Sequence, residues 1–349
     1  MHRQNEMFPR PKQAKGNKAD AAQMTMVHPD GVITASAPGK CILFGEHAVV
    51  YGEPAVAVAL EQRMHLKLIP STSWSLNGAE LDEEKHPHVW SLLGEFGGIP
   101  AVPPMDIHIT GDIPRSSGLG SSAALSASMV RALETHLNRQ LSDDTAGQMA
   151  HEAEAFSQQG RASPMDTSTS LLGGVVVLSN QREEGLNWRY QRSHRTPEAE
   201  VSWNIHDLEV AMDDVHLVIG NTGVHAPTLR QVEKVAQALN DDPGLNQAIA
   251  TIGSITRRGL AALKAGDAHR VGQAMTENHL VLRSLGVSSV ELEELIQAAA
   301  PSSLGVKLTG AGGGGCMVAL TQHPETTRQA IELAGGEAMV SSFPNPGAH

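Results

Sequence analysis

The stretch that most restricts how this chain can fold runs over residues 113–138, IPRSSGLGSSAALSASMVRALETHLN. It opens with small, turn-forming residues. Beyond them, Ala123, Ala127, Val130, Leu133 and Leu137 recur at helical spacing, which predicts a tight Ser/Gly turn running directly into an amphipathic helix. The first-turn N–H groups of such a helix have no intrahelical partner. The helix dipole favours negative charge there, and Gly and Ser let an anion come close. The same pattern also describes a Ser-capped helix that binds nothing, so its meaning depends on the other motifs in the chain.

Upstream, residues 31–36 predict a short strand, followed by APGKCILFGEHAVVYGEPAVAVAL over 37–60. Lys40, taken alone after Pro38-Gly39, has the setting of a solvated turn lysine. Glu46 and His47 form a polar pair inside an apolar stretch, which is costly unless partnered and points to a pocket. Met64, Leu66 and Leu68 alternate with polar residues as in a half-buried strand, and residues 105–110 form another. A short helix is expected near 89–96 and a longer one over 142–159, with Asp143 and Asp144 in its first turn. Residues 162–170 have the composition of a polar loop carrying Asp166, and 171–179 of a buried strand. Residues 180–204 suit a long loop or exposed hairpin. The second half opens with a strand at 215–220, continues through four helical stretches, and reaches two short apolar strands around glycines at 305–320, with no internal repeat.

The 349 residues accommodate one large or two ordinary domains. The division adopted is a disordered tail over 1–29, an N-terminal domain over 30–205 and a C-terminal domain over 206–349. With 38 acidic against 26 basic residues, the net charge of −12 argues against a general nucleic-acid or anionic-membrane surface, though a local pocket can still take an anion. Cys41 and Cys316 lie in apolar runs without metal-ligand spacing, as expected of free thiols in a reducing cytoplasm. No apolar run reaches the ~18 residues of a membrane span.

Residues 310–315 formally satisfy GxGxxG, but a strand-like run beginning at Cys316 follows where a dinucleotide fold needs a helix. That reading is rejected; four consecutive glycines instead suggest a close backbone approach. GxxxxGK[ST] is absent from the sequence, and His151-Glu152 lacks the second histidine of a zinc-protease helix. A Ser/Gly loop for phosphates, a hydroxyl for Mg²⁺, a lysine for charge and an aspartate for an alcohol proton together fit phosphoryl transfer.

In this order and spacing the motifs resemble those of the GHMP kinases: APGKCILFGEHAVVYG at 37–52, PRSSGLGSSAA at 114–124 and KLTGAGGGGC at 307–316. The resemblance covers roughly residues 31–340. The wording is most similar to the archaeal-type mevalonate kinases, in GEHAVVYG, in ASPMDT at 162–167, in NTG at 221–223 followed by Thr228, and in NHLVLRSLGVSS at 278–289. It implies an α+β fold: an N-terminal α/β domain like domain 2 of ribosomal protein S5, joined to a ferredoxin-like C-terminal domain. It implies a homodimer, ATP and Mg²⁺, and phosphorylation of mevalonate at its C5 hydroxyl.

On this resemblance Asp166 would accept the hydroxyl proton, with Lys40 keeping the pair ionised. Pro114, Ser116, Ser117, Gly118, Leu119, Gly120, Ser121, Ser122 and Ala123 would line the ATP phosphates. Gly310, Gly312 and Gly313 would support that site. Glu46, His47 and Ser163 would face the acceptor, with Thr228 near the phosphates. Ser122 would ligate Mg²⁺. Two departures stand out. Ser116 occupies a usual glycine position. The expected Mg²⁺ glutamate, five residues before Gly160, falls on Ala155; Glu154 is therefore assigned, with Glu152 second. Other acceptors (phosphomevalonate, the 3-hydroxyl of mevalonate, a sugar) are the alternatives within the family. A non-catalytic regulator of the same fold is the alternative outside it, and it would need neither Lys40 nor Asp166.

Overall fold

The computed structural model describes residues 24–114, 117–157, 163–195 and 200–344. Ser116, Gly160 and most of the N-terminal tail lie outside the described residues.

The N-terminal half is built on a nine-stranded sheet: β1 (Met24–Val27), β2 (Ile33–Phe44), β3 (Ala55–Pro70), β4 (Ser75–Leu76), β5 (Ala79–Glu80), β6 (Met105–Gly111), β7 (Val175–Ser179), β8 (Asn187–Arg195) and β9 (Glu200–Leu208). Long β3 is its spine, pairing with β2, with β6 through its second half and with β7 through its first. Helices α1 (Pro87–Glu95), α2 (Ser121–His136), α3 (Asp143–Ser157) and α4 (Met165–Leu172) accompany this sheet. The predicted apolar face of α2 is buried at Ala123, Ala127, Val130 and Leu133, the last three in one core with Leu43, Val58 and Leu66 of the sheet.

The C-terminal half carries β10 (His216–Asn221), α5 (Thr228–Asp241), α6 (Asn246–Lys264), α7 (Ala268–Ser284), α8 (Val290–Ala299), β11 (Gly305–Thr309), β12 (Cys316–Thr321), α9 (Pro324–Leu333) and β13 (Glu337–Ser342). Its four strands lie in the order β11-β12-β10-β13, all antiparallel. Helices between β10 and β11, a hairpin from β11 to β12, and α9 before β13 give the βαββαβ pattern of a ferredoxin-like unit.

Three local expectations are corrected. Residues 31–36 are not a separate short strand, because β2 runs on to Phe44 through Pro38 and Gly39. The ladder tolerates that proline because the β2–β3 register shifts between Pro38 and Lys40, and a bulge releases the N–H that proline lacks. Residues 162–170 are not simply a polar loop, since α4 begins at Met165. Its small hydroxyl residues bury by bonding inward, with the Thr169 hydroxyl donating to the Met165 carbonyl at 2.7 Å. For residues 180–204 the hairpin alternative holds, as most of β8–β9, but it is not simply exposed, since it buries Tyr190 and Trp203. The first sheet ends at Leu208, three residues past the expected division at 205/206. Helix α9 and strand β13 have no counterpart among the sequence expectations. Among the described residues no helix is long and apolar enough to cross a membrane.

Candidate active site

The end of β2, the N-terminus of α2, the first turn of α4 and the glycine loop after β11 meet around one cleft. It holds about 750 Å³ of open space, and Lys40, Glu46, His47, Gly118, Glu154, Ser163, Asp166, Thr228, Gly310 and Ala311 all contribute to its wall.

Lys40 sits just past the β2 bulge and is buried, contrary to the solvated turn lysine expected of it in isolation. Its backbone N–H donates to the Leu119 carbonyl at 2.9 Å, so the strand continues into the Ser/Gly loop. Its ammonium donates to the Gly118 carbonyl at 2.8 Å and lies 3.0 Å from Asp166 Oδ1. Asp166 keeps 30% of its side-chain surface, on the side facing the cleft that it helps to line.

Gly120 is the residue before α2, in the left-handed region at φ 73°, and no side chain caps this helix. A Cβ there would sit 3.1 Å from Lys40 Cγ. Glycine is thus required twice, by the backbone conformation and by the lysine stem beneath it. The first-turn N–H groups of α2 therefore have no side-chain acceptor, the setting in which a helix end attracts anions. Ser117 closes the loop by donating to the Pro114 carbonyl at 2.8 Å, while Leu119 is a core side chain that offers the cleft only backbone. Ser121 is half-buried and Ala123 buried.

The Ser122 hydroxyl donates to Glu154 Oε1 at 2.8 Å. Glu154 is buried on the inner face of α3, whereas Glu152 is exposed and bonds Gln148. The two donors brought together are therefore Ser122 and Glu154. Both are hard oxygen ligands, and Mg²⁺ commonly takes one or two such protein donors and completes its shell with water and substrate phosphates. The pair fits that role.

Glu46 and His47 follow β2 in a tight turn. Gly45 has φ 94°, and a Cβ on it would collide with the Pro54 carbonyl at 2.4 Å. His47 itself has φ 62° and ψ −41°, a conformation that costs a non-glycine residue on the order of 1–3 kcal/mol. Its Nε2 lies 2.9 Å from the Ala311 carbonyl. That carbonyl can only accept, so Nε2 carries the proton and Nδ1 remains an acceptor. Burial brings the imidazole down to about 4, so it is neutral at physiological pH.

Glu46 is not free in the cleft. It pairs with Lys307, and Asn278 Nδ2 donates to its second oxygen at 3.1 Å. Burial drives the Glu46 carboxyl up and the Lys307 ammonium down, each opposed by the other's charge. Neither Lys307 nor Asn278 had been given a role from sequence. The sequence hint is a lysine between Val306 and Leu308 and a glutamate in the turn before the apolar residues 48–50, two charges in apolar settings that need partners if buried.

The glycine loop lets segments of backbone pack closely. Gly310 lies against Gly118, Gly312 against the Val287 carbonyl, and Gly315 against the Ser117 carbonyl. Gly313 is turned to Gln231, and its N–H donates to the Val287 carbonyl at 2.7 Å. Of this loop, Gly310 and Ala311 reach the cleft wall, while Gly312 and Gly313 support it from behind. Thr222 of the NTG turn braces the same loop through the Gly315 carbonyl, at 2.9 Å from both its N–H and its hydroxyl. Thr228 stands exposed at the start of α5.

Comparison with known proteins gives the same picture. The family pattern described as "GHMP kinases N terminal domain" matches residues 87–174, and that described as "GHMP kinases C terminal" matches 260–336. The chain is 33% identical over 294 residues to a protein of Methanothermobacter thermautotrophicus named Mevalonate kinase, covering 82% of this chain and 89% of that one. The crystal structure of L. major mevalonate kinase in complex with R-mevalonate superposes with a TM-score of 0.71 at 22% identity, over 92% of this chain and 98% of that one. A Streptococcus pneumoniae phosphomevalonate kinase in complex with phosphomevalonate and AMPPNP also gives 0.71, at 17% identity over 88% and 99%, so the fold is shared by kinases of different acceptors. A third of the residues held in common over four-fifths of the length, with family patterns in both halves, places the chain among the GHMP kinases.

Proposed function

We propose that this enzyme transfers the γ-phosphoryl group of ATP to the C5 hydroxyl of mevalonate. The observation that carries the reading is the Lys40–Asp166 pair, 3.0 Å apart on the cleft wall beside the uncapped end of α2. Asp166 accepts the proton of the acceptor hydroxyl as its oxygen attacks the γ-phosphorus. The bond from that phosphorus to the bridging oxygen breaks, and ADP leaves. Lys40 places a positive charge where the reacting oxygens become more negative, so it favours the transition state over the bound ground state. The Ser/Gly loop from Ser117 to Ala123 holds the phosphates through backbone N–H groups, with Thr228 across the cleft. Ser122 and Glu154 would hold Mg²⁺, which when bound neutralises phosphate charge.

The choice of acceptor is supported by the likeness to proteins named Mevalonate kinase. The cleft wall suits an alcohol: neutral His47 offers an acceptor nitrogen, and half-buried Ser163 lies three residues before Asp166. An ADP-release assay with ATP and Mg²⁺ against mevalonate, phosphomevalonate, galactose and homoserine, with product position read by phosphorus NMR, tests it. Formation of the 5-phosphate of mevalonate is the expected result. Turnover confined to another acceptor would overturn the substrate assignment, and ATP binding without turnover on any of them would overturn the kinase reading itself.

A further inference from the structure

Lys307 lies on β11, outside the cleft wall, and none of the steps above uses it. Its side chain is nevertheless fully buried and fully engaged. The ammonium has three N–H donors, and three oxygens surround it: Glu46 Oε1, the Ile42 carbonyl at 3.3 Å and its neighbour's Leu308 carbonyl. Ile42 and Glu46 both line the cleft, so Lys307 grips the two sides of the turn that leads to His47 from behind.

That turn needs holding. His47 is in a left-handed conformation that a free segment would abandon, and Gly45 before it is also at positive φ. The restraints on the segment come from several distant elements. Asn278 on α7 holds Glu46, and the Thr309 hydroxyl accepts from the Ile42 N–H at 2.8 Å. Ala311 holds the His47 ring, and Trp203 on β9 donates to the Val49 carbonyl at 3.0 Å. Lys307 hydrogen-bonds to two residues of the segment, Ile42 and Glu46, and among the described residues no hydrogen bond joins it to Ser122 or Glu154.

We propose that Lys307 is a positioning residue for acceptor binding: by gripping Glu46 and the Ile42 carbonyl it keeps the strained His47 turn presented to the cleft. The proposal rests on the reading of His47 as an acceptor-facing group. Its consequence is asymmetric: loss of Lys307 weakens the acceptor and leaves ATP binding in place.

The test is steady-state kinetics of the full chain, with thermal unfolding alongside. Lys307→Met strands the Glu46 charge and risks unfolding, so the Glu46→Gln/Lys307→Met double variant, which leaves no unpaired charge, is made with it. The expected result is an acceptor KM raised about tenfold or more with the ATP KM unchanged within about twofold. Asn278→Ala withdraws one neutral donor and keeps the ion pair, and should shift the acceptor KM in the same direction by less. A folded double variant with wild-type acceptor KM, or one in which both KM values rise together, would overturn the proposal. If neither Lys307 variant folds, an unchanged acceptor KM in Asn278→Ala would overturn it. The wild-type enzyme is first run on the acceptor panel. If it rejects mevalonate, the substrate assignment fails by itself, and the variants are judged on whichever acceptor is used.

Discussion

Replacing Lys40 by methionine separates catalysis from stability in this fold. Methionine keeps most of the buried stem and removes only the ammonium, whose contacts are the Gly118 carbonyl at 2.8 Å and Asp166 at 3.0 Å. Asp166 retains 30% exposure, so water can take the lysine's place, and the lost pair should cost the fold about 1 kcal/mol after solvent screening. For a folding unit of about 150–250 residues, the size of the N-terminal half, that lowers Tm by only about 2–4 °C. The chemical step should suffer far more. Removal of one preorganised group aimed at developing charge typically costs about 2.7–4 kcal/mol, or about 10²–10³ in kcat. Asp166→Asn removes the proton acceptor and should fall in the range of about 10²–10⁴ expected of a positioned base. Because the two groups act as one unit, the Lys40→Met/Asp166→Asn double variant should lose little more than the worse single variant. The assay is ADP release at saturating ATP and acceptor, with Tm measured on each protein. A folded Lys40→Met enzyme with kcat within about threefold of wild type would refute the reasoning, since a cation at the reacting oxygens cannot be so dispensable. Fully additive losses would show that the pair does not act together.

The remaining expectations concern the metal, acid stability and the glycine loop. Glu154→Gln should raise the Mg²⁺ concentration for half-maximal activity about tenfold or more, whereas Glu152→Gln, on the exposed face of α3, should leave it in place; a metal titration of both variants distinguishes them. Burial holds His88, like His47, down at about 4 against an ordinary 6.5. Between these values the unfolded chain binds more protons than the folded one. Stability is therefore fully present above about pH 6.5 and is lost as pH falls toward 4, by up to about 1 kcal/mol per pH unit for each histidine. Denaturant midpoints across that window should show a shallower slope in His88→Gln, and an unchanged slope would remove His88 from the account. Gly312→Ala places a Cβ 2.1 Å from the Val287 carbonyl at a position with φ 82°, and should cost about 2 kcal/mol or more by urea unfolding.

Much of the architecture was legible because it rests on local patterns. Helix α2 shows its apolar repeat, the strands around the glycines show their β-branched and apolar runs, and the turns show their Gly and Asn. The misreadings have a common physical origin, in that tertiary contacts override local preference. Residues 163–170 carry three serines, two threonines and a proline, a composition that favours turns and caps in isolation. Inside the protein the Thr167 and Thr169 hydroxyls donate to the Pro164 and Met165 carbonyls, Ser168 accepts from Tyr190 of β8, and the helix forms. Pro38 and Gly39 punctuate the sequence as a turn, yet β2 passes through them. Gly39 permits the Leu119 carbonyl to come within 3.0 Å of where a Cβ would be, and that close approach delivers Lys40 to the cleft.

At the site, the sequence named groups but not their partners. Pairing across 78 residues for Lys40 and Gly118, or 261 for Glu46 and Lys307, leaves no periodicity to detect. Only the energetic argument that a buried charge needs a counter-charge could have joined Glu46 to Lys307, and it would have required knowing that both are buried. The same argument explains why Glu46, expected to face the acceptor, has both oxygens committed elsewhere. A carboxylate in that setting is stable only if saturated, and two of the three oxygens that saturate Lys307, Glu46 Oε1 and the Ile42 carbonyl, belong to the segment leading to His47. The charge pair and the strained histidine therefore form one unit: the desolvation that burial imposes on Glu46 and Lys307 is offset by their mutual attraction, and the rigidity it leaves behind fixes a backbone conformation that His47 would not adopt alone. On the proposed reading, the acceptor end of the cleft is shaped by the Glu46–Lys307 pair that fixes the His47 turn, and the ATP end by backbone at the start of α2.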